Sequence, residues 1–356
     1  MMAEQADRID AETLEHFTAE LLMGFGLKPE DARISAEVLI ASDIRGIDSH
    51  GVPRMGHYAE RLRSGMVNVD AELTVVTETA ATIAFDAHNG MGHPASYRAM
   101  QRCIEKAKES GLCMATVRHS NHFGIAGYYA MMALNEGLCG LATTNATPLV
   151  IPTFAREPIL STAPIAVAIP ARDQRPIVID MATSTVAWGK VEIARRENKP
   201  IPWGWAYDAD GNMTTDPFAA VSLTPLGATR ELGSHKGYGL SLFVEVLCGQ
   251  LAGSSWSRYV GGSRHVPPRP SDTGHAFMAW RIDAFRPEEE FYAEIDSMLA
   301  ELRTLEPAEG HDRVYVPGDP EDIAEIDRRE RGIPVHASVL DELRALGDEI
   351  GVKAPF

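Results

Sequence analysis

The stretch Gly233-Ser234-His235-Lys236-Gly237-Tyr238-Gly239-Leu240-Ser241-Leu242 sets glycines and a cation ahead of a helix-like apolar run that reaches Leu251. A dinucleotide turn of the parallel-sheet type needs G-x-G-x-x-G between a strand and a helix. Here Leu242 occupies the third glycine's place, and the preceding Leu226-Gly227-Ala228-Thr229-Arg230-Glu231-Leu232 does not read as a strand. No other G-x-G-x-x-G occurs in the chain. Exposed N–H groups at such a junction still suit an anion. Any dinucleotide held here is therefore held outside a standard Rossmann turn.

Working outward, short apolar runs at 73–76, 82–85, 113–117, 138–143, 165–169, 177–179 and 275–280 read as strands, and 94–110 as an amphipathic helix. The chain ends read differently. Asp10 caps a helix through Leu14, Phe17 and Leu21 that Gly24 and Gly26 end; Pro29 opens a second that stops near Gly46, and Pro53 a third that stops at Gly65. After Pro287 the spacing of Phe291, Ile295, Met298 and Leu302, and then 338–350, is helical again. The fold class is therefore α+β, or mixed: a non-Rossmann central domain with a mixed sheet over 71–286, and a discontinuous helical domain of 1–70 together with 287–356.

Composition narrows the function. A chain of 356 residues with 45% hydrophobic and 23% charged residues builds ordinary globular cores. Its 33 basic against 50 acidic residues leave a net charge of −17, which repels nucleic acid and anionic membrane, so a small anionic substrate needs a local cationic cluster. Cys103, Cys113, Cys139 and Cys248 form no C-x-x-C pair and read as reduced, buried apolar groups. The first residues show no basic and apolar leader, and no apolar run approaches the ~20 residues that span a bilayer, so the expected compartment is the cytoplasm.

Four polar segments stand at element ends. In the first, His50, Arg54 and Tyr58 are spaced i, i+4, i+8 behind Asp48 and Ser49. A helix beginning by His50 would align an imidazole, a guanidinium and a phenol on one stripe, able to bind a carboxylate and exchange a proton. The alternative is a helix from Pro53 capped by Ser49, with His50 in an exposed loop. In the second, His119 and His122 precede Phe123-Gly124 after an apolar strand. No Glu, Cys or nearby carboxylate completes a metal site, so no metal is expected and a polar ligand-bonding loop, or surface imidazoles, remain. In the third, Asp180, Met181, Ala182, Thr183, Ser184, Thr185 and Val186 follow a strand and precede a helix, which suits anion binding or simple capping. The fourth is the Gly233 segment, with His235 and Lys236. No G-x-S-x-G and no phosphate loop is present.

Together, Ser49-His50-Gly51 with Arg54 and Tyr58, His119-x-x-His122-Phe123-Gly124, Asp180-x-Ala182-Thr183-Ser184, His235-Lys236-Gly237-x-Gly239-Leu240 and Pro317-Gly318-Asp319 resemble, in order and spacing, the malate/L-lactate dehydrogenase family. That group includes ureidoglycolate and sulfolactate dehydrogenases, diketogulonate reductase and piperideine-2-carboxylate reductases. The resemblance implies NAD or NADP bound in a non-Rossmann fold, and a homodimer with the active site near the interface. It places residues 180–186, His235, Lys236, Pro317, Gly318 and Asp319 on the dinucleotide, and His119, His122 and Phe123 against it. His50 is then the proton donor to a 2-oxo acid and the acceptor in reverse, and Arg54 is the carboxylate clamp. Ser49 orients the imidazole, Asp180 is its charge partner, His122 is a second acid/base candidate, and Tyr58 and Thr162 bond the substrate.

The implied activity is hydride transfer between NAD(P)H and a small 2-oxo or 2-hydroxy acid of malate or lactate type. Reduction of a cyclic imine carboxylate is the alternative within the family, and a non-catalytic dinucleotide-binding protein the alternative outside it. Many relatives carry Gly-Thr-Asn-Pro where this chain has Ser161-Thr162-Ala163-Pro164, so an amide that could meet the substrate is missing.

Overall fold

The structure, a computed structural model, describes residues 7–262 and 268–356; the reading of residues 1–6 as free of a leader lies outside the described residues. In chain order, β1 (Asp7–Ile9) leads into α1 (Ala11–Gly24) and α2 (Pro29–Ile44), and a 3-10 turn, Val52–Arg54, into α3 (Met55–Arg63). Next come β2 (Thr74–Glu78), β3 (Thr82–Asp86), α4 (Gly92–Ser110), β4 (Leu112–Ser120), α5 (Ala126–Met132), β5 (Cys139–Thr144), β6 (Ile165–Ile169), β7 (Ile177–Met181) and α6 (Trp188–Arg196). Three two-residue strands follow, β8 (Ala206–Tyr207), β9 (Met213–Thr214) and β10 (Ser222–Leu223), then α7 (Ser234–Glu245), which continues into a π-helical turn, Val246–Leu251. The chain closes with β11 (Thr273–Trp280), α8 (Glu288–Thr304), α9 (Asp319–Arg331), β12 (Ile333–Val335) and α10 (Ala337–Ile350).

Local chemistry accounts for the boundaries. Asp10 accepts the Thr13 N–H at 2.9 Å and caps α1, Pro29 stands in the first turn of α2, and Gly26 and Gly46 take φ +102° and +79° beyond the two helix ends. Seven strands form a mixed sheet in the order β2-β3-β4-β11-β5-β6-β7, in which β3 and β4 run parallel and the other described neighbours antiparallel. A core of Met100, Val117, Phe123, Tyr129 and Phe277 packs α4 and α5 onto this sheet. A second core joins Leu14, Phe17, Leu39, Met55 and Leu62 to Val335, Leu340 and Leu343 from the far end of the chain. All four cysteines are free and buried. Among the described residues, no helix is long and apolar enough to cross a membrane.

Three features depart from the pattern read above. The first 70 residues are not wholly helical, because β1 pairs antiparallel with β12, Arg8 opposite Pro334; three residues are too few to show alternation. Helix α9 was hidden by its polarity. It is held instead by acids in its first turn, Asp319, Glu321 and Asp322, and arginines in its last, Arg328, Arg329 and Arg331, the arrangement a helix dipole favours. Helix α8 lies on the turn between β6 and β7, where the Asp296 carboxylate accepts the N–H groups of Arg172, Asp173 and Gln174 at 3.1–3.2 Å.

Candidate active site

His50 is not on a helix. Gly51 and Pro53 break the stripe read from the i, i+4, i+8 spacing, and regular α-helix begins only at Met55. The groups meet by another route. Ser49 Oγ hydrogen-bonds His50 Nδ1 at 2.8 Å, while the Ser49 carbonyl accepts from Arg54 Nε at 2.8 Å, so one serine sets both the imidazole and the guanidinium. Tyr58, one turn further along α3, reaches His122 Nδ1 at 2.7 Å, and the His50 and His122 rings stack with centroids 5.8 Å apart. The Gly124 N–H also points at His122 Nδ1, at 3.3 Å. A backbone N–H only donates, so that nitrogen is the acceptor, the Tyr58 hydroxyl donates to it, and the proton of neutral His122 sits on Nε2.

Both imidazoles stay neutral at pH 7. The protein packed around half-buried His50 lowers it to about 4, with the Arg54 charge adding to the effect. Burial, followed by the nearby His50 and Arg54, holds His122 well below the ordinary histidine value. The loop that carries His122 is fixed from beneath. Buried His275 on β11 bonds Thr144 and Ser120 at 2.7 and 2.8 Å and stacks on Phe123 at 4.7 Å. His119 turns elsewhere, its Nδ1 lying 3.0 Å from both Asp86 carboxylate oxygens, and it makes no hydrogen bond to His50, Tyr58 or His122.

The opposing side is built mostly from backbone. At the end of β7, Asp180 Oδ2 accepts the Gly127 N–H at 2.7 Å rather than bonding His50, and although Asp180 is open to solvent, the protein crowded round it pushes its carboxyl up to about 6. Thr183 N donates to the Thr162 carbonyl and Leu226 N to the Thr183 carbonyl, each at 2.9 Å. Gly237 packs against Leu226, where a Cβ would stand 2.5 Å from its N and O, so the first turn of α7, with exposed His235 and Lys236, sits against the 180–186 turn. Ser184 Oγ donates to the Val186 carbonyl and Thr185 Oγ1 to the Pro225 carbonyl, while Met181 is exposed beside them. Pro317 takes the Val178 N–H at 3.0 Å, and Gly318, at φ +103°, lies against the same strand. Asp319 is paired with Arg303, at the edge of a cleft of about 590 Å³ that Arg175, Arg313 and Tyr315 also line.

The two sides join at Gly189 in α6. A Cβ there would lie 2.5 Å from Ser49 Cβ and 3.3 Å from the Arg54 guanidinium. Sequence reasoning passed over Gly189, and also Glu192, whose carboxylate stands 3.6 Å from Arg54; a charged residue on a helix reads as a solvated face. It passed over His93 as well, which is fully buried with its ring 5.0 Å from that of Tyr58. Ala163 is buried against Val244, Cys248 and Ala276. Among the described residues, no cluster of three or more His, Cys, Asp or Glu could hold a metal ion.

A family model described as malate/L-lactate dehydrogenase matches residues 9–344. The chain belongs to that family. Its relatives include the malate dehydrogenase of Pyrococcus horikoshii, 41% identical over 350 residues that cover 97% of this chain and 96% of the other. The (2R)-3-sulfolactate dehydrogenase (NADP(+)) of Chromohalobacter salexigens is 34% identical, covering 94% of this chain and 96% of its own. The solved malate dehydrogenase of Entamoeba histolytica superposes with a TM-score of 0.94 at 35% identity, over 99% of this chain and all of that one. As a member of the malate/L-lactate dehydrogenase family, the protein is an oxidoreductase of the dehydrogenase type.

Proposed function

We propose that the protein interconverts a small 2-hydroxy acid and its 2-oxo acid with NAD or NADP, using His50 as the acid/base and Arg54 as the carboxylate clamp. The observation that carries this reading is that Ser49 holds both groups, through its hydroxyl and its carbonyl. Features elsewhere on the same fold suit a dinucleotide: small side chains at Ala182 and Thr183, a loop-to-helix turn bearing Lys236, the Gly318 cradle, and the cleft beside Asp319. The Chromohalobacter relative's name carries NADP(+), and the family resemblance admits NAD as well. With β3 and β4 as the parallel pair in an otherwise antiparallel sheet, the dinucleotide site is of non-Rossmann type.

When bound, the dinucleotide would take the substrate's hydride at C4 of its oxidised nicotinamide ring in oxidation and return it from the reduced ring in reduction. In oxidation, neutral His50 carries its proton on Nδ1 and donates that N–H to Ser49 Oγ in a hydrogen bond, which leaves Nε2 as the acceptor of the substrate hydroxyl proton. Reduction needs the imidazolium. A substrate carboxylate on Arg54 raises the His50 pKa from about 4, because it places a negative charge close by and offsets the guanidinium. That carboxylate also competes with Glu192 for Arg54. His122 presents Nε2–H as a neutral donor, Tyr58 fixes its tautomer, and fully buried Phe123, stacked on His275, supports the loop from beneath. Asp180 serves the Gly127 backbone rather than His50.

The low His50 pKa favours a second reading, reduction of a cyclic imine carboxylate. A protonated imine brings its own proton and needs only the hydride and the Arg54 clamp. Titration with NADH and NADPH, followed by oxaloacetate, pyruvate and piperideine-2-carboxylate with the cofactor that binds, tests both readings. Turnover of an oxo acid supports the first, turnover of the imine alone the second, and cofactor binding with no turnover contradicts both.

The same reading extends to assembly and domain organisation. Leu242, Phe243, Val246 and Leu251 are exposed on α7, which carries Lys236, and its π turn, and Trp256 and Tyr259 are exposed just after it; a second copy of the chain would cover them, giving a homodimer with the site near its interface. Sedimentation showing a monomer at micromolar concentration would remove the dimer. The discontinuous helical domain of 1–70 with 287–356 draws support from the core shared by α1–α3, β12 and α10, although α8 lies on the central domain's 172–174 turn.

A further inference from the structure

Helix α9 connects the two sides of the candidate site from behind. At its start, Pro317 and Gly318 are seated on β7 at Val178, and the Asp319 carboxylate takes the Val316 N–H at 2.9 Å while pairing with Arg303. One turn on, Asp322 and Glu325 both bind Arg45 at the end of α2, at 2.9 and 2.8 Å; the Arg45 side chain is only 8% exposed. Arg328 comes next. Its guanidinium donates to the Asp43 carbonyl at 2.5 Å and pairs with Asp48.

Those contacts act on the loop that bears Ser49 and His50. Asp43, from α2, accepts the Val52 N–H at 2.8 Å, and Gly51 packs directly on its carboxylate, leaving no room for a Cβ. The loop is thus gripped at 43, 48 and 52, on both sides of His50, and Arg328 reaches two of those points. Arg328 makes no hydrogen bond to His50, Arg54, Tyr58 or His122. The Arg328 side chain is 13% exposed and that of Asp48 45%, so the buried half of the contact is the Arg328 bond to the Asp43 carbonyl, while the pair with Asp48 is partly open to solvent.

We propose that Arg328 is a positioning residue for the reaction: by holding Asp48 and the Asp43 carbonyl it sets the loop that aims His50, and through α9 it registers that loop to the strand that carries Asp180. The proposal rests on the acid/base role of His50 given above. A misplacement of ~1 Å at a reacting group costs up to ~10²-fold in rate. Removal of Arg328 therefore acts on turnover and leaves the backbone-built cofactor side in place.

The test compares Arg328→Met, Arg328→Lys and Asp48→Asn with wild type in three measurements: amide hydrogen exchange, dissociation constants for NADH and NADPH from nucleotide fluorescence, and kcat with oxaloacetate and the tighter-binding cofactor. In Arg328→Met, exchange over 46–54 should quicken about tenfold while the central sheet is unchanged, the cofactor constant should stay within about twofold, and kcat should fall about 10- to 100-fold. Arg328→Lys should recover most of the protection and rate, and Asp48→Asn should show the same pattern more weakly. Unchanged loop exchange, exchange that rises across the whole molecule, or unaltered kcat would overturn the proposal. If Arg328→Met does not fold, Asp48→Asn decides it by the same criteria. Loss of the His50 assignment itself would appear separately, as a His50→Ala protein with undiminished kcat.

Discussion

The two sides of the candidate site are built by different means. Around His50 the work is done by side chains, with His50, Arg54, Tyr58 and His122 held by one another and by Ser49. Along β7 and the start of α7 it is done by backbone, with carbonyl and N–H groups of Thr162, Thr183 and Leu226 in register and glycines admitting close approach. A side-chain cluster can tune proton affinity but is vulnerable to any single replacement. A backbone cradle tolerates side-chain change and fails where bulk is added. The first suits proton transfer and carboxylate recognition, the second a large ligand common to many substrates.

Replacements on either side should therefore separate two observables, and the largest effect belongs to His50. His50→Ala should lower kcat by ~10²–10⁴-fold and leave the NADH or NADPH dissociation constant nearly unchanged. Gly189→Ala strikes the joint between the sides, where the new methyl would lie 2.5 Å from Ser49 Cβ; kcat should fall by up to ~10²-fold with less effect on the cofactor, and equal loss of both would blur the distinction. Tyr58→Phe removes one donor to His122, worth ~0.5–1.5 kcal/mol, so steady-state kinetics should show a loss of at most about tenfold.

The smallest effect concerns stability. Burial lowers His93 and His275 to about 3, against ~6.5 in the unfolded chain. Between those values the unfolded chain binds protons that the folded protein refuses, so stability falls as pH falls from 6.5, by up to ~1.4 kcal/mol per unit for each histidine. Asp43 and Glu245, raised by burial, act in the opposite sense, so wild type minus His93→Phe isolates His93. Urea midpoints at pH 7 and pH 5 should converge in the variant; an unchanged acid slope would show that His93 does not contribute.

The same contrast explains what could be read before folding. Periodicity revealed β3, β6, α1 and α4, because each buries a regular face, and α8 by its spacing alone, since that helix buries Leu299 and leaves Met298 and Leu302 exposed. The short turns 180–186 and 233–239 announced themselves by glycines and small polar residues at element ends. The stripe of His50, Arg54 and Tyr58 misled, because residue spacing says nothing about a 3-10 turn at Val52–Arg54. Helix α9 left no apolar signature, and β1 and β12 are too short for one. Glu192 and Gly189 became visible only when α6 was placed against the Ser49 loop.

The account stands on His50 and Arg54 facing the reacting carbon of a substrate bound between the two sides. A crystal structure with NADH or NADPH and oxamate, a stand-in for a 2-oxo acid, measures this directly. The expected result is oxamate's carboxylate on Arg54 and its amide oxygen within hydrogen-bond reach, ~2.6–3.2 Å, of His50 Nε2. Oxamate bound away from both residues, or a nicotinamide ring separated from His50 by more than the width of the inhibitor, would contradict it.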